Sequence, residues 1–466
     1  MHVTRLSIAD FRCFESTEIE FCCRGAPATT KLDYPNVNLL LGENAAGKTT
    51  LLKAVALALL SPVLAGSGFV PYWLVRRSGL KKSQKTSVAT ISADVLLHSQ
   101  DRRASDQSVK LSARVERTND LERLLPNSES ALTWNDFVSD RTAYFVVGYG
   151  TSRRIQPTQK FDQTGQNKSR QPHYQRIAGL FEDQYALKPL ESWLQGYKRR
   201  NPGRYKQVVN LLNRLLPKGT QFTEIMRDGN YLFRQDGIEL PLSAMSDGYR
   251  AYVGWIGDML SHICDGAPKG EKLVENYGIV LIDEIDLHLH PSWQLKVVPT
   301  LAKALPNVQF ILTSHSPIVA GTLQRENIFR LVRDRERGVD QESAVRVAPL
   351  SAEIHGLNSD QILLTEAFGL ESTRAPLFLE KLEAQATKAS AGDLDAALRY
   401  TRMLAEGAAS EQDDEQHPEA PEWLESSSSK LRQILDPKSK SRTPKRAVPA
   451  KKRLAAKRAP KRKVKK

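Results

Sequence analysis

The chain has 466 residues, 40% of them hydrophobic, enough apolar material for two domains or for one large domain with an insertion. Its net charge of +14 is misleading: 15 of the 67 Lys and Arg fall from Lys438 onward, where no acidic residue stands, which leaves 52 basic against 53 acidic residues in 1–437. The body is therefore near neutral, and non-specific attraction to polyanions belongs to the tail. The cysteines Cys13, Cys22, Cys23 and Cys264 have neither C-x-x-C nor zinc spacing and read as packing residues.

The N-terminal MHVTRLSIADF alternates polar and apolar residues like a strand and has no apolar h-region. No window reaches about 18 uncharged apolar residues, so a cytoplasmic protein without a membrane span is expected. Val37 to Val55, VNLLLGENAAGKTTLLKAV, reads as an apolar strand, a loop and a helix. It carries the G-x-x-x-x-G-K-[ST] pattern in the context that pattern needs. Gly42 and Gly47 let successive N–H groups turn toward phosphates, with Glu43, Asn44, Ala45 and Ala46 between them. Lys48 would bridge the β- and γ-phosphates of ATP, and Thr49 would supply a hydroxyl to Mg²⁺, with Thr50 and Asn44 as weaker contributors.

From Leu64 to Leu240 a β-rich stretch, with TSVATISADVLL and VKLSARVER alternating, gives way to helical periodicity over His173 to Leu215, broken at Pro202 and Gly203. Sustained heptads are missing, which excludes a long coiled-coil arm. Lys198, Arg199, Arg200, Arg204 and Lys206 could touch DNA phosphates or form a solvated helix end. Next, LPLSAMSDGYR places Ser246 and Gly248 at the start of a helix, a second anion-binding geometry that one phosphate loop does not need for the same nucleotide.

GIVLIDEIDLHLHP, Gly278 to Pro291, opens as a strand buried on both faces of a parallel sheet and ends in two adjacent carboxylates. Beside the phosphate loop, Asp283 can hold the Mg²⁺ shell and Glu284 can polarise the attacking water. The strand VQFILT runs into Ser314, His315, Ser316 and Pro317, where His315 could meet the γ-phosphate or its water. His288 and His290 form an H-x-H, but no third and fourth metal ligand stands at useful spacing. Ser359 to Ala408 reads as helical; Glu411 to Glu425 and the serines 426–429 have linker composition. The Lys-Ala-Pro-rich end would be disordered and bind phosphates without reading bases, or serve as a solubilising tail.

The order of phosphate loop, S-D-G-Y-R, DE strand and final histidine resembles the ABC ATPases of the SMC, RecF and OLD group. It is closer to the bacterial predicted ATP-binding protein family with a DE-x-x-x-H-L-H-P motif, which includes ATPase subunits of Septu-type and retron-associated anti-phage systems. Asp283, Glu284, His288, Leu289, His290 and Pro291 carry that motif, with LSIADFRCFESTEIEF, VGYGTSR and TSHSP beside it. The resemblance implies an α/β ABC-ATPase head, a mixed or parallel sheet flanked by helices with an antiparallel part, plus a helical insertion. It implies a trans signature of Ser246, Asp247, Gly248, Tyr249 and Arg250 that meets ATP held by a second copy, with His315 as switch histidine. Asp247 and Tyr249 depart from the glycine and glutamine of transporter signatures, and Tyr149 to Arg153 is the candidate for the Q-loop contact with nucleotide or dimer.

The expected divisions are residues 1–63 and 241–350 for the two ATPase halves, 64–240 for the insertion, 351–408 for a helical segment, 409–437 for a linker and 438–466 for the basic tail. The leading expectation is an ATP-hydrolysing dimer that switches a separate effector, plausibly a nuclease in anti-phage defence. The alternative is a RecF-like DNA-binding ATPase in repair. Intrinsic nuclease activity is not expected, because the stretch after the last ATPase strand is short for a further domain.

Overall fold

The computed structural model describes residues 1–25, 31–77, 87–98, 101, 107–126, 132–139, 143–155, 171–268, 270–333 and 344–406. The expected linker 409–437 and basic tail 438–466 lie outside the described residues.

The phosphate-loop strand Val37–Gly42 sits inside a six-stranded sheet. Its neighbours are Val308–Thr313 on one side and Ile328–Arg333 on the other, both parallel to it. Gly278–Ile282 and then Val146–Tyr149 extend the parallel run on the first side, and Val345–Pro349 closes the other edge antiparallel. The three central strands are apolar nearly throughout because both faces are covered. Leu39, Leu41, Val280, Ile282, Phe310 and Leu312 face one core, while Leu40, Ile279, Leu281 and Ile311 face a second. That is the two-residue period of a strand put to use on each side of one sheet.

The second core is roofed by a five-stranded antiparallel sheet in the order Phe14–Glu20, His2–Phe11, Val88–Leu97, Gln107–Thr118, Leu121–Pro126. Between the two sheets lies the helix Lys48–Gly66, which buries 15 of its 19 residues. A helix apolar all round must be covered all round. By length and composition this helix could cross a membrane, yet 78% of the relevant window is buried inside the protein. The first core is completed by the helices Leu190–Arg200, Pro202–Leu215 and Asp247–Gly266. Asn201 caps the second of these by accepting from the Arg204 amide, with Pro202 in the first turn, where it donates nothing that is missed.

Two features differ from the sequence-based expectation. The insertion ends in a three-stranded antiparallel sheet, Thr220–Arg227, Asn230–Gln235 and Ile238–Pro241, beyond the helical stretch His173 to Leu215 and where no strand was read. Its turns at Asp228-Gly229 and Asp236-Gly237 all adopt positive φ, the hairpin chemistry that such dipeptides supply. In addition, the compact units divide at Met1–Thr373 and Arg374–Lys466. The short helix Ser359–Leu363 thus groups with the first unit, since Ile362 joins its core. The second unit pairs the helices Pro376–Ser390 and Leu394–Glu406, with Arg374 donating to the carbonyls of Met403 and Leu404.

Candidate nucleotide site

A cavity of about 350 Å³ opens where three parallel strands end. Asn44 to Thr50 line it from the phosphate loop, Asp283 and Glu284 from the acidic strand, and His315 from the next strand. Ligands of open α/β sheets bind at such carboxyl ends.

The loop is held in shape before any nucleotide arrives. Gly47 has φ +95, and a Cβ built there would stand 2.5 Å from the Cys13 sulfur and 3.1 Å from the Phe14 ring. Ala45 also lies at positive φ, and the Arg333 guanidinium donates to its carbonyl at 2.7 Å. The Lys48 ammonium donates to the carbonyls of Gly42 and Glu43 at 2.9 and 3.0 Å, which parks it over the loop. Burial lowers the Lys48 pKa from the usual lysine range, opposed by Asp283, Glu284 and Asp286.

Across the cavity the Thr49 hydroxyl donates to Asp283 Oδ2 at 2.6 Å, and the Thr313 hydroxyl to Oδ1 at 2.6 Å. A hydroxyl and a carboxylate, both hard oxygen donors and already in contact, fit Mg²⁺. Glu284 follows with φ +48, a left-handed backbone that costs a non-glycine residue about 1–3 kcal/mol. Its amide donates to Thr313 Oγ1 at 2.7 Å, and the next amide, of Ile285, to the Thr313 carbonyl at 3.0 Å. Thr313 therefore grips both carboxylate-bearing residues from the neighbouring strand.

Two pocket residues were not anticipated. Arg12 and Cys13 form the two-residue turn between His2–Phe11 and Phe14–Glu20, with Phe11 paired to Phe14 and Arg12 at φ +49. They line the cavity beside the phosphate loop. Burial lowers the Arg12 pKa and raises that of the Cys13 thiol. Their place over the loop depends on a contact between sheets.

The segment Tyr149 to Arg153 lies against the acidic strand from outside. Asp283 donates its amide to the Tyr149 carbonyl at 2.8 Å, while Arg153 donates to the carbonyls of both Asp283 and Glu284, the latter at 2.9 Å. Tyr149 OH reaches the buried Asp258 at 2.7 Å. The Tyr149 and Arg153 side chains are engaged with the protein, and no residue of this segment lines the cavity.

Ser246 to Arg250 stand elsewhere. Ser246 occupies the N-cap position of Asp247–Gly266 without a side-chain cap bond and is exposed, Asp247 pairs with Arg250, and Tyr249 meets Trp293 edge to face at 4.2 Å. None of the five lines the cavity. His288 and His290 are exposed in the adjoining loop; His290 caps the helix Pro291–Ala304, with Nδ1 toward Ser292. Among the basic residues read as possible DNA contacts, Arg204 has to be corrected: it is buried and donates to the carbonyls of Pro268 and Glu271 at 3.0 Å each. Lys198, Arg199, Arg200 and Lys206 remain exposed.

A parallel sheet carrying a phosphate loop, an adjacent acidic strand with the hydroxyl-carboxylate pair, and a roofing antiparallel sheet define an α/β ATPase head of the ABC type. Residues 37–320 match the family described as AAA domain, putative AbiEii toxin, Type IV TA system, and the chain belongs to that family. Similar curated proteins include the Retron Ec83 probable ATPase of Escherichia coli, 34% identical over 33% of this chain and 28% of that protein. The Septu protein PtuA of Bacillus thuringiensis is 27% identical over 36% of this chain and 42% of its own length, and that of Bacillus mycoides 23% identical over 80% and 46%. The chain thus spans less than half the length of these relatives. Among solved structures, an SMC head bound to the C-winged helix domain of ScpA aligns with a TM-score of 0.47 at 16% identity, covering 75% of this chain and 98% of that one.

Proposed function

We propose that the chain hydrolyses ATP and that two copies close around the nucleotide to do so, making ATP-dependent dimerisation a switch for a separate effector. The observation that carries the reading is the division of labour among the motifs. Phosphate loop, Asp283, Glu284 and His315 converge on one cavity, while the signature Ser246 to Arg250, exposed at Ser246, Asp247 and Arg250, does not line it.

The roles follow from chemistry. The loop amides and Lys48 bind the phosphates. Thr49 and Asp283 would hold Mg²⁺, which when bound neutralises charge on the phosphate oxygens. Glu284 orients and polarises the attacking water, and His315 approaches the γ-phosphate from the third strand. The signature of the second copy offers its helix N-terminus and Arg250 to the same γ-phosphate.

The similarity to retron and Septu ATPases supports anti-phage defence as the setting, and a nuclease is the effector proposed. Association of the basic tail with nucleic acid rests on its composition alone.

Three variants test the switch. Glu284→Gln should bind ATP and accumulate as a dimer by size-exclusion chromatography with light scattering, while Lys48→Ala binds no ATP. Ser246→Arg should still bind ATP as a monomer yet neither dimerise nor hydrolyse it. Wild-type turnover by Ser246→Arg would remove the trans signature, and wild-type turnover by Glu284→Gln would remove the base.

A further inference from the structure

We infer that Arg153 is a positioning residue for hydrolysis: from outside the nucleotide cavity it fixes the backbone of Asp283 and Glu284 and ties that backbone to the helix that begins at the signature. The inference rests on the reading of Glu284 as the group that polarises water.

Four observations carry it. The guanidinium donates to the carbonyls of both acidic residues through Nη2, and its Nε donates to the carbonyl of Gly150 at 3.2 Å, which sets its orientation. Glu284 has a left-handed backbone at φ +48, a conformation that persists only when its surroundings hold it. Thr313 holds the Glu284 amide; Arg153 holds the Glu284 carbonyl on the other side of the residue. Finally, Arg153 lies 5.7 Å from the ring centroid of Trp255, on the helix Asp247–Gly266. The same helix is joined once more through the Tyr149–Asp258 hydrogen bond.

Glu284 is thus aimed by a peptide conformation whose two ends are gripped from different elements, one of which, through Arg153, packs on the helix that begins at the signature. A signature displaced by a second copy would act on the acid through Arg153. The Q-loop role read for Tyr149 to Arg153 becomes, for Arg153, a grip on the acid backbone in place of a contact with nucleotide.

The test is steady-state ATP hydrolysis by the full-length protein, with binding of a fluorescent ATP analogue and thermal melting measured alongside. Arg153→Ala should lose about 100-fold in kcat, with KM and analogue affinity within about threefold of wild type and the melting temperature little changed. Arg153→Lys keeps the charge on a single ammonium nitrogen in place of the planar fork and should fall between the two. A rise in KM or a loss of analogue binding with kcat intact would make Arg153 a nucleotide contact and overturn the inference, as would wild-type kcat in both variants. Should Arg153→Ala fail to fold, Arg153→Lys decides alone by the same split. A wild-type protein that does not hydrolyse ATP would instead bring down the parent reading.

Discussion

Gly47 concentrates several constraints in one residue. Its φ of +95 disfavours any side chain, and the Cys13 sulfur and Phe14 ring occupy the place a Cβ would take. Gly47→Ala should therefore cost about 1–3 kcal/mol in chemical denaturation and weaken ATP binding. Adding Cys13→Ala should return the steric part and leave the conformational part, so the double variant should be intermediate. Equal stability of Gly47→Ala and wild type would mean that the strand turn does not clamp the loop. Glu284 and Arg12 share the left-handed backbone without being glycine; such residues cannot be recognised from sequence, because what sustains them is tertiary.

At the scale of elements, the helix Asp247–Gly266 starts tight against the loop after the acidic strand. A Cβ on Gly248 would lie 2.7 Å from the His288 carbonyl oxygen, and backbone cannot swing aside as a side chain tip can. Gly248→Ala should force the two apart at about 1–3 kcal/mol, read from the denaturation midpoint. Gly254→Ala on the same helix makes the contrast: its nearest obstacle is the end of the Ile155 side chain, which can move. A smaller loss at Gly248 than at Gly254 would refute the tight junction.

Which elements were legible in the sequence follows the same logic. Val37–Gly42, Gly278–Ile282 and Val308–Thr313 stood out as apolar runs ending in chemistry-bearing residues, and Thr49 and Asp283 were each expected near Mg²⁺ from the motif that carries them. The hairpins of 220–241 were missed because their strands, half exposed and rich in polar residues, carry no apolar run. Arg12 was missed as a neighbour of the site because it reaches the cavity from a turn of the other sheet, whereas Arg153 fell within the stretch expected to contact nucleotide or dimer.

For the molecule as a whole, the two sheets are pinned together at the N-terminus. His2 accepts no proton in the fold: its Nε2 donates to the Asn307 carbonyl at 2.7 Å, leaving Nδ1 to accept from His98 at 3.2 Å. Burial above all, aided by the adjacent terminal ammonium, pushes its pKa down from 6.5 to about 3. An unfolded chain takes up that proton first. The contribution is therefore fully present above about pH 6.5 and lost as pH falls toward 3. Denaturation measured between pH 7 and about pH 4 should show a steeper loss for wild type than for His2→Gln. Parallel curves would place the acid sensitivity elsewhere.

The bond between Thr49 and Asp283 spans 234 residues of sequence. On a ribosome adding about 5–20 residues per second, the two halves of this hydroxyl-carboxylate pair are made roughly 12–47 s apart. Throughout that interval the phosphate-loop strand has neither of its sheet neighbours, since both Val308–Thr313 and Ile328–Arg333 come later still. A nascent chain that has not yet reached Asp283 therefore carries the phosphate loop without the acidic strand that faces it across the cavity.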